Sequence, residues 1–203
     1  SVGNSQTTSY ADIQEIAQQA VEDGDISQNL YNRFCPAAEE DGSVVFHAPE
    51  LNLSYDIRFH YDSGEDKTWV ATVEKCTDST HGAETDAHLA LRNAWTGNGQ
   101  RYLLFRGLVT KVDFEEGVNF TGTTAAFTGF YKLTDVELAN WPTSTIANNT
   151  FMSTLLAEDG VLDLSTLSTK VTVINAYAFG RYNNVGNSID TVLLPNDMTT
   201  VKI

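Results

Sequence analysis

The stretch VINAYAF, residues 173–179, places an isoleucine and a phenylalanine five positions apart, with small or polar residues between them. The same spacing recurs in TIANNTF, residues 145–151, where Ile146 and Phe151 correspond to Ile174 and Phe179. A further phenylalanine, Phe127, lies 24 residues before Phe151, and Phe179 lies 28 residues after it. Recurrence on this scale is typical of repeat proteins, in which each copy is one structural unit. We therefore interpret these stretches as copies of one unit.

A second apolar pattern interleaves with the phenylalanines. VTKVDFEEGV (109–118) and IDTVLLPNDM (189–198) have apolar residues at the same four offsets, and LTDVEL (133–138) and DGVLDL (159–164) match them in part. Alternating apolar positions predict one short strand per copy, with one side of each strand buried. The residues that we expect in the repeat core are Val112, Phe114, Phe127, Val136, Leu138, Ile146, Phe151, Leu162, Leu164, Ile174, Phe179, Val192 and Leu194.

The length of the period predicts the architecture of the second half. A unit of about 24–30 residues with one strand fits a leucine-rich repeat, and only stacking of at least about three units buries the apolar side of each. Leu133 lies six residues after Phe127, whereas Ile189 lies ten residues after Phe179. This difference indicates a four-residue insertion around YNNVGN, residues 182–187. We predict a solenoid of about four repeats over residues 107–203, the last of them incomplete.

Two segments carry a family resemblance. VTVINAYAFGRYNNVGNSIDTVLLPNDMTTV (171–201) and AAFTGFYKLTDVEL (125–138) resemble the BspA-type leucine-rich repeats of bacterial and protist surface proteins. The resemblance covers about residues 108–203. It implies a concave sheet that binds proteins or other surface molecules, a role in adhesion or coaggregation, and no catalytic residues.

The first half has a different pattern. SYADIQEIAQQAVEDG (9–24) has the apolar spacing of a helix, and every odd residue of LNLSYDIRFHY (51–61) is apolar or aromatic. Such alternation predicts a half-buried strand, and KTWVATVEKC (67–76) supplies its antiparallel partner after a turn. The predicted fold class is therefore α+β: a mixed helix and antiparallel-strand module over residues 1–106, followed by a short irregular leucine-rich-repeat solenoid.

Charge and cysteine content limit the partners and the compartment. The 203-residue chain has a formal net charge of −15 and a pI near 4.4. This acidity argues against nucleic acid and anionic membranes, and no apolar run is long enough to insert into a bilayer. Cys35 and Cys76 are compatible with one disulfide in an oxidising compartment or with two buried thiols.

Candidate catalytic and metal-binding residues are few. His81, Glu84 and His88 share one face of a predicted helix, and Asp62, Glu65 and Asp66 cluster in a turn. We interpret the first group as a surface helix and the second as a solvated turn, and we find no GxSxG motif. The sequence therefore predicts a non-enzyme without metal or cofactor. A hydrolase that uses paired carboxylates of the acidic first half is the alternative.

The leading functional hypothesis is a secreted or cell-surface recognition and adhesion protein that binds a protein or glycan through the repeats. The candidate contacts are Glu137, on the outer side of a strand, and Tyr131, Trp141 and Tyr182, in the repeat connections; packing across the repeats is the alternative for these aromatics. The alternative function is structural assembly, as a filament subunit or virion decoration protein. TTVKI (199–203) falls within a repeat, and an uncapped end needs cover from another chain, for example a second copy.

Overall fold

The fold is built mostly from β-structure. A computed structural model describes residues 10–47, 55–76, 102, 104–120, 125–182 and 185–196. The described part of the chain contains one five-stranded sheet, three two-stranded sheets and two α-helices.

The two helices come first. Helix α1 (Tyr10–Glu22) buries Tyr10, Ile13 and Ala17 on one face, which confirms the predicted helix, and the chain leaves it through Gly24 at a φ of 80°. Helix α2 is Gln28–Phe34, and the hydroxyl of Ser27 accepts a hydrogen bond from the Leu30 N–H at 3.1 Å. This contact satisfies one of the open donors at the helix start.

The five-stranded sheet combines antiparallel and parallel pairing. Its strands are β1 (Val44–Phe46), β2 (Tyr55–Asp62), β3 (Thr68–Lys75), β4 (Val109–Phe114) and β5 (Asp135–Val136), in that spatial order. Strands β1, β2 and β3 are antiparallel, whereas β3, β4 and β5 run parallel. The β2–β3 hairpin was predicted from sequence and is confirmed.

Three further pairs complete the sheets. Strand β6 (Thr145–Ile146) is parallel to β8 (Val173–Ile174), and β7 (Val161–Asp163) is parallel to β11 (Thr191–Leu193). Strands β9 (Arg181–Tyr182) and β10 (Val185–Gly186) form a small antiparallel hairpin. Of the insertion seen in the sequence at residues 182–187, Tyr182 ends β9, Val185 and Gly186 form β10, and Asn187 directly follows, whereas residues 183 and 184 lie outside the described residues.

The three phenylalanines of the repeated pattern lie on top of one another. The ring of Phe151 stacks between those of Phe127 and Phe179, at centroid distances of 5.6 and 5.5 Å. The backbones follow the same order, because the Phe127 N–H donates to the Thr150 carbonyl and the Phe151 N–H to the Ala178 carbonyl. The phenylalanine turns of successive copies are thus stacked in register.

The prediction of a leucine-rich-repeat solenoid after a helix and strand module is wrong. In such a solenoid the strands of successive copies would form one parallel sheet. Here β4 and β5 belong to the five-stranded sheet, β7 pairs with β11, and β6 with β8. The physical reason lies at β5, which is only two residues long before the chain enters a 3-10 turn at Leu138–Asn140.

The division into units at residues 106 and 107 stays a prediction. The five-stranded sheet takes three of its strands from before this point and two from after it.

One apolar core extends through the described parts of the chain. At its first end Phe105 stacks on Phe59 at 4.1 Å and on Tyr10 at 5.8 Å. Tyr102 contacts Phe127 and donates its hydroxyl proton to the Ala126 carbonyl at 2.7 Å. The core thereby continues from the sheet into the stacked turns.

Candidate binding surface

The last copy of the strand pattern is far more exposed than the earlier ones. In the copies of β4, β5 and β7 the aligned apolar residues are at most 8% exposed: Val109, Val112, Phe114, Leu133, Val136, Leu138, Leu162 and Leu164. In the last copy the corresponding Ile189, Val192 and Leu194 are 39, 40 and 40% exposed, and Leu193 is 45% exposed. We call this surface, Ile189 with Thr191 to Leu194, the β11 edge.

The backbone of β11 is paired on one side only within the described structure. The Thr191 N–H donates to the Gly160 carbonyl at 3.0 Å, and the Leu193 carbonyl accepts from the Leu164 N–H at 2.8 Å. Thr191 and Leu193 therefore direct their backbone groups toward β7. Because backbone groups alternate in direction along a strand, the N–H and carbonyl of Val192 point toward the open side.

A neighbouring part of the same copy is closed by the β9–β10 hairpin and by Asn187, which directly follows it. Asn187 is buried, and its Oδ1 accepts a hydrogen bond from the Ala157 N–H at 2.7 Å. Its Nδ2 donates to the Phe179 carbonyl at 3.2 Å and lies 3.4 Å from the Thr154 hydroxyl. Asn187 thus ties the Phe179 turn to the copy before it, whereas no described residue makes such a tie on the open side of β11.

Carboxylates flank the β11 edge at its two ends. Asp190 directly precedes β11, and Asp159 accepts a hydrogen bond from the Val161 N–H at the start of β7. At the far end Asp163 is the ladder partner of Leu193. The hydroxyl and N–H of Ser165 both donate to Asp163 and hold the pKa of its carboxyl below the usual value, so Asp163 is charged at neutral pH.

Of the four predicted contact residues, two tyrosines are exposed. Tyr131 and Tyr182 have more than half of their surface accessible. Tyr177, which sequence reasoning did not select, is more exposed still and has a φ of 58°. Its position two residues before Phe179 matches that of Asn149 and Ala125, which have φ values of 59° and 57°. The repeat register of this turn is the signal that finds Tyr177.

Glu137 is used within the fold. Its Oε2 accepts a hydrogen bond from the Phe114 N–H at 3.3 Å, and its Oε1 accepts one from the Asn140 side chain. The Glu137 N–H donates to the Val112 carbonyl at 2.9 Å. Its carboxylate joins β4 to the 3-10 turn, and we do not include it in the binding surface.

Trp141 lies in the core, as in the packing alternative. Its ring meets those of Phe114, Phe120 and Phe151 at centroid distances of 5.1, 5.5 and 5.6 Å. Its Nε1 donates to the Thr145 carbonyl at 3.1 Å. The indole therefore packs in the core directly after the 3-10 turn at Leu138–Asn140.

The remaining residues of the predicted repeat core are nearly all buried. Those at most 9% exposed are Val112, Phe114, Phe127, Val136, Leu138, Ile146, Phe151, Leu162, Leu164, Ile174 and Phe179. Val192 and Leu194 are the other two members, and they form part of the β11 edge.

The two cysteines do not form a disulfide bond in this structure. Cys35 is buried, and burial raises the pKa of its thiol from 9.0 to about 11. Cys76 is half-buried at the end of β3. The sequence is compatible with one disulfide or with two thiols, and the structure contains two thiols.

The metal candidates have different outcomes. His81, Glu84, His88 and the TTVKI segment lie outside the described residues. Asp62, Glu65 and Asp66 are exposed in the turn between β2 and β3, where Asp62 accepts a hydrogen bond from the Gly64 N–H. Across the described ranges, no group of three or more His, Cys, Asp or Glu side chains is placed to hold a metal ion.

The polar face of the sheet carries an ion-pair network. Arg58 donates to Glu74 at 2.7 Å and to Glu39 at 2.8 Å, and these contacts raise the pKa of its guanidinium. Ser43 accepts a further bond from Arg58 at 2.7 Å. The network fastens the segment before β1 to the β2–β3 hairpin.

Comparison of the chain with protein-family models, curated proteins and solved structures gave no match. The resemblance to BspA-type repeats therefore remains a prediction from the sequence. Within the described residues, no helix has the length and apolar character needed to cross a bilayer.

Proposed function

We propose that this chain is a non-enzymatic recognition protein that binds a protein partner through the β11 edge. The observation that carries the proposal is the exposure of Ile189, Val192 and Leu194, at positions whose apolar counterparts in the earlier copies are buried. Concentrated apolar exposure on a folded protein is characteristic of an interaction surface. The secreted or cell-surface setting rests on the resemblance to BspA-type surface proteins alone.

A protein partner suits this surface better than a glycan does. Apart from Thr191, the side chains at the edge are isoleucine, valine and leucine, and the backbone groups of Val192 are open to pairing. Apolar contact together with backbone pairing is the chemistry of peptide recognition.

A peptide-display selection on the immobilised chain tests this function. We expect selected peptides to bind the unmodified chain and Tyr131→Lys equally, because Tyr131 is an exposed side chain outside the β11 edge. Leu193→Lys places a charge on the edge without altering a buried residue, and should weaken the same peptides about tenfold or more. Failure to enrich any peptide, or equal binding by Leu193→Lys, would contradict the proposal.

The second candidate is assembly, in which a second copy covers the same edge. Two copies meeting there would bring the carboxylates of Asp159, Asp163 and Asp190 together, and like charges at an interface oppose association. We therefore expect a monomer at every concentration when light scattering is recorded across a dilution series. An oligomer that persists on dilution and that Leu193→Lys dissociates would favour assembly over partner recognition.

A further inference from the structure

We propose that the partner adds to the β11 edge as one more β-strand, and that this strand is an apolar segment flanked by basic residues. The inference rests on the proposed function and specifies the partner's backbone conformation and charge.

The backbone of β11 supports strand addition. Thr191 and Leu193 are bonded to β7, so Val192 presents its N–H and carbonyl on the open side. An extended segment lying there pairs with these groups, as β7 pairs with the opposite side of β11. An exposed strand side with unsatisfied backbone groups is a template for such pairing.

The side chains define what the added strand carries. Val192 continues the buried row that contains Leu162, whereas Leu193 lies beside Asp163 on the other face. Because Val192 is 40% and Leu193 45% exposed, apolar surface is available on the two faces of the edge. A strand with apolar residues at successive positions covers both faces.

The charges define the flanks. Asp159 and Asp190 lie at the start of the β7–β11 ladder and Asp163 at its end, all exposed. Between residues 158 and 196 the chain has four acidic residues and only Lys170 and Arg181 as basic ones. An incoming strand with lysine or arginine on each side of its apolar centre meets opposite charge at both ends.

The probe is a labelled KKTVLLKK peptide, which places the Thr191–Leu194 sequence between lysines, and the readout is fluorescence anisotropy on the full chain. Two versions carry backbone N-methyl groups at alternate residues, on the valine and second leucine or on the threonine and first leucine. In a strand, alternate N–H groups face opposite sides, so strand addition predicts that one version binds about tenfold more weakly and the other binds like the parent. The EETVLLEE peptide should bind about tenfold more weakly or worse.

Two protein variants test the hydrogen bond that the Val192 N–H would donate to the added strand. Val192→Pro removes the N–H that faces the open side and leaves the bonds of Thr191 and Leu193 in place, a position where an edge strand tolerates proline. We expect it to weaken KKTVLLKK about tenfold, whereas Val192→Thr, which keeps the N–H, retains more of the affinity. Circular dichroism of the two variants confirms that each is folded.

The failures are distinguishable. Equal binding by the two N-methylated versions would overturn strand addition but leave the proposed function standing if Leu193→Lys still weakens binding about tenfold or more. Equal binding of EETVLLEE and KKTVLLKK would overturn the basic flanks. Absence of KKTVLLKK binding, when display-selected peptides do bind the edge, would overturn this inference alone. If the selected peptides are absent as well, the proposed function fails with it.

Discussion

Leu162 and Val192 are partners in the parallel ladder between β7 and β11, yet Leu162 is 6% exposed and Val192 is 40% exposed. The two side chains occupy equivalent positions of the repeated pattern and differ in whether another strand lies beyond them. Stacking buries each copy under the next, and the described structure places no strand on the open side of β11. The proposed binding surface is thus a consequence of how the copies stack.

The phenylalanine stack should contribute strongly to stability. Phe151 lies between Phe127 and Phe179 and against Trp141, and it is fully buried. We expect Phe151→Ala to lower the free energy of unfolding by about 3–5 kcal/mol, measured by urea titration, because it removes buried contacts and leaves a cavity. Tyr182→Ala, at an exposed aromatic, should change it by about 0.5 kcal/mol or less. Equal effects of the two substitutions would show that the stack does not hold the copies together.

Asn187 should be a second residue on which the stability of the stacked copies depends. In Asn187→Ala the buried Ala157 N–H and the Phe179 carbonyl lose their side-chain partner. At about 1–3 kcal/mol for each of these two unsatisfied groups, we expect a loss of about 2–6 kcal/mol in the free energy of unfolding. Asn175→Ala, at an exposed asparagine, is the control. A loss no larger than that of the control would mean that the hairpin region closes the stack without this side chain.

The left-handed turn at Tyr177 should reverse the usual order of stability, in which an alanine variant is more stable than a glycine variant. At a φ of 58° alanine is strained and glycine is not, so we expect Tyr177→Gly to be more stable than Tyr177→Ala by about 1 kcal/mol. Thermal or urea unfolding of the two variants measures this difference. At Tyr131, which lacks a positive φ, the alanine variant should be at least as stable as the glycine variant. The same order at both sites would contradict the turn geometry.

The buried thiol of Cys35 should make stability fall in alkaline solution. Its pKa is raised from 9.0 to about 11, so above pH 9 the unfolded chain releases a proton that the folded chain retains. The contribution of Cys35 is therefore complete below pH 9 and is lost as the pH rises toward about 11. Urea unfolding of the unmodified chain and of Cys35→Ala should show a difference that shrinks across this window. Burial also raises the pKa of Tyr10, and this contribution is common to both proteins, whereas the smaller increase that Cys35 causes is lost in Cys35→Ala. A difference independent of pH would contradict the burial of the thiol.

Sequence patterns correctly predicted the elements in which apolar residues recur on one buried side. The alternation that ends at Tyr61 identified β2, because the buried Tyr55, Ile57 and Phe59 repeat with the period of a strand. The spacing of Phe127, Phe151 and Phe179 predicted repeated core positions, and the three rings are buried and stacked. Each of these patterns can be recognised from the positions of apolar residues along the sequence alone.

Pairing between strands was not predictable in this way. The pattern around Val136 and that around Leu162 are alike, yet β5 joins β4 in the large sheet and β7 joins β11. A periodic pattern shows which side of a strand is buried, but it does not determine which other strand pairs with it. Trp141 and the β11 edge illustrate the same limit, since burial of the one and exposure of the other depend on what packs beside them.

The exchange of the Val192 amide proton, followed by NMR with and without KKTVLLKK, tests the central claim most directly. In the free chain we expect it to exchange faster than the Leu193 amide, because Val192 faces the open side and Leu193 faces β7. On saturation with the peptide its exchange should slow markedly, while that of Leu193 changes little. A Val192 amide that is already protected in the free chain, or one that the bound peptide leaves unprotected, would contradict the account.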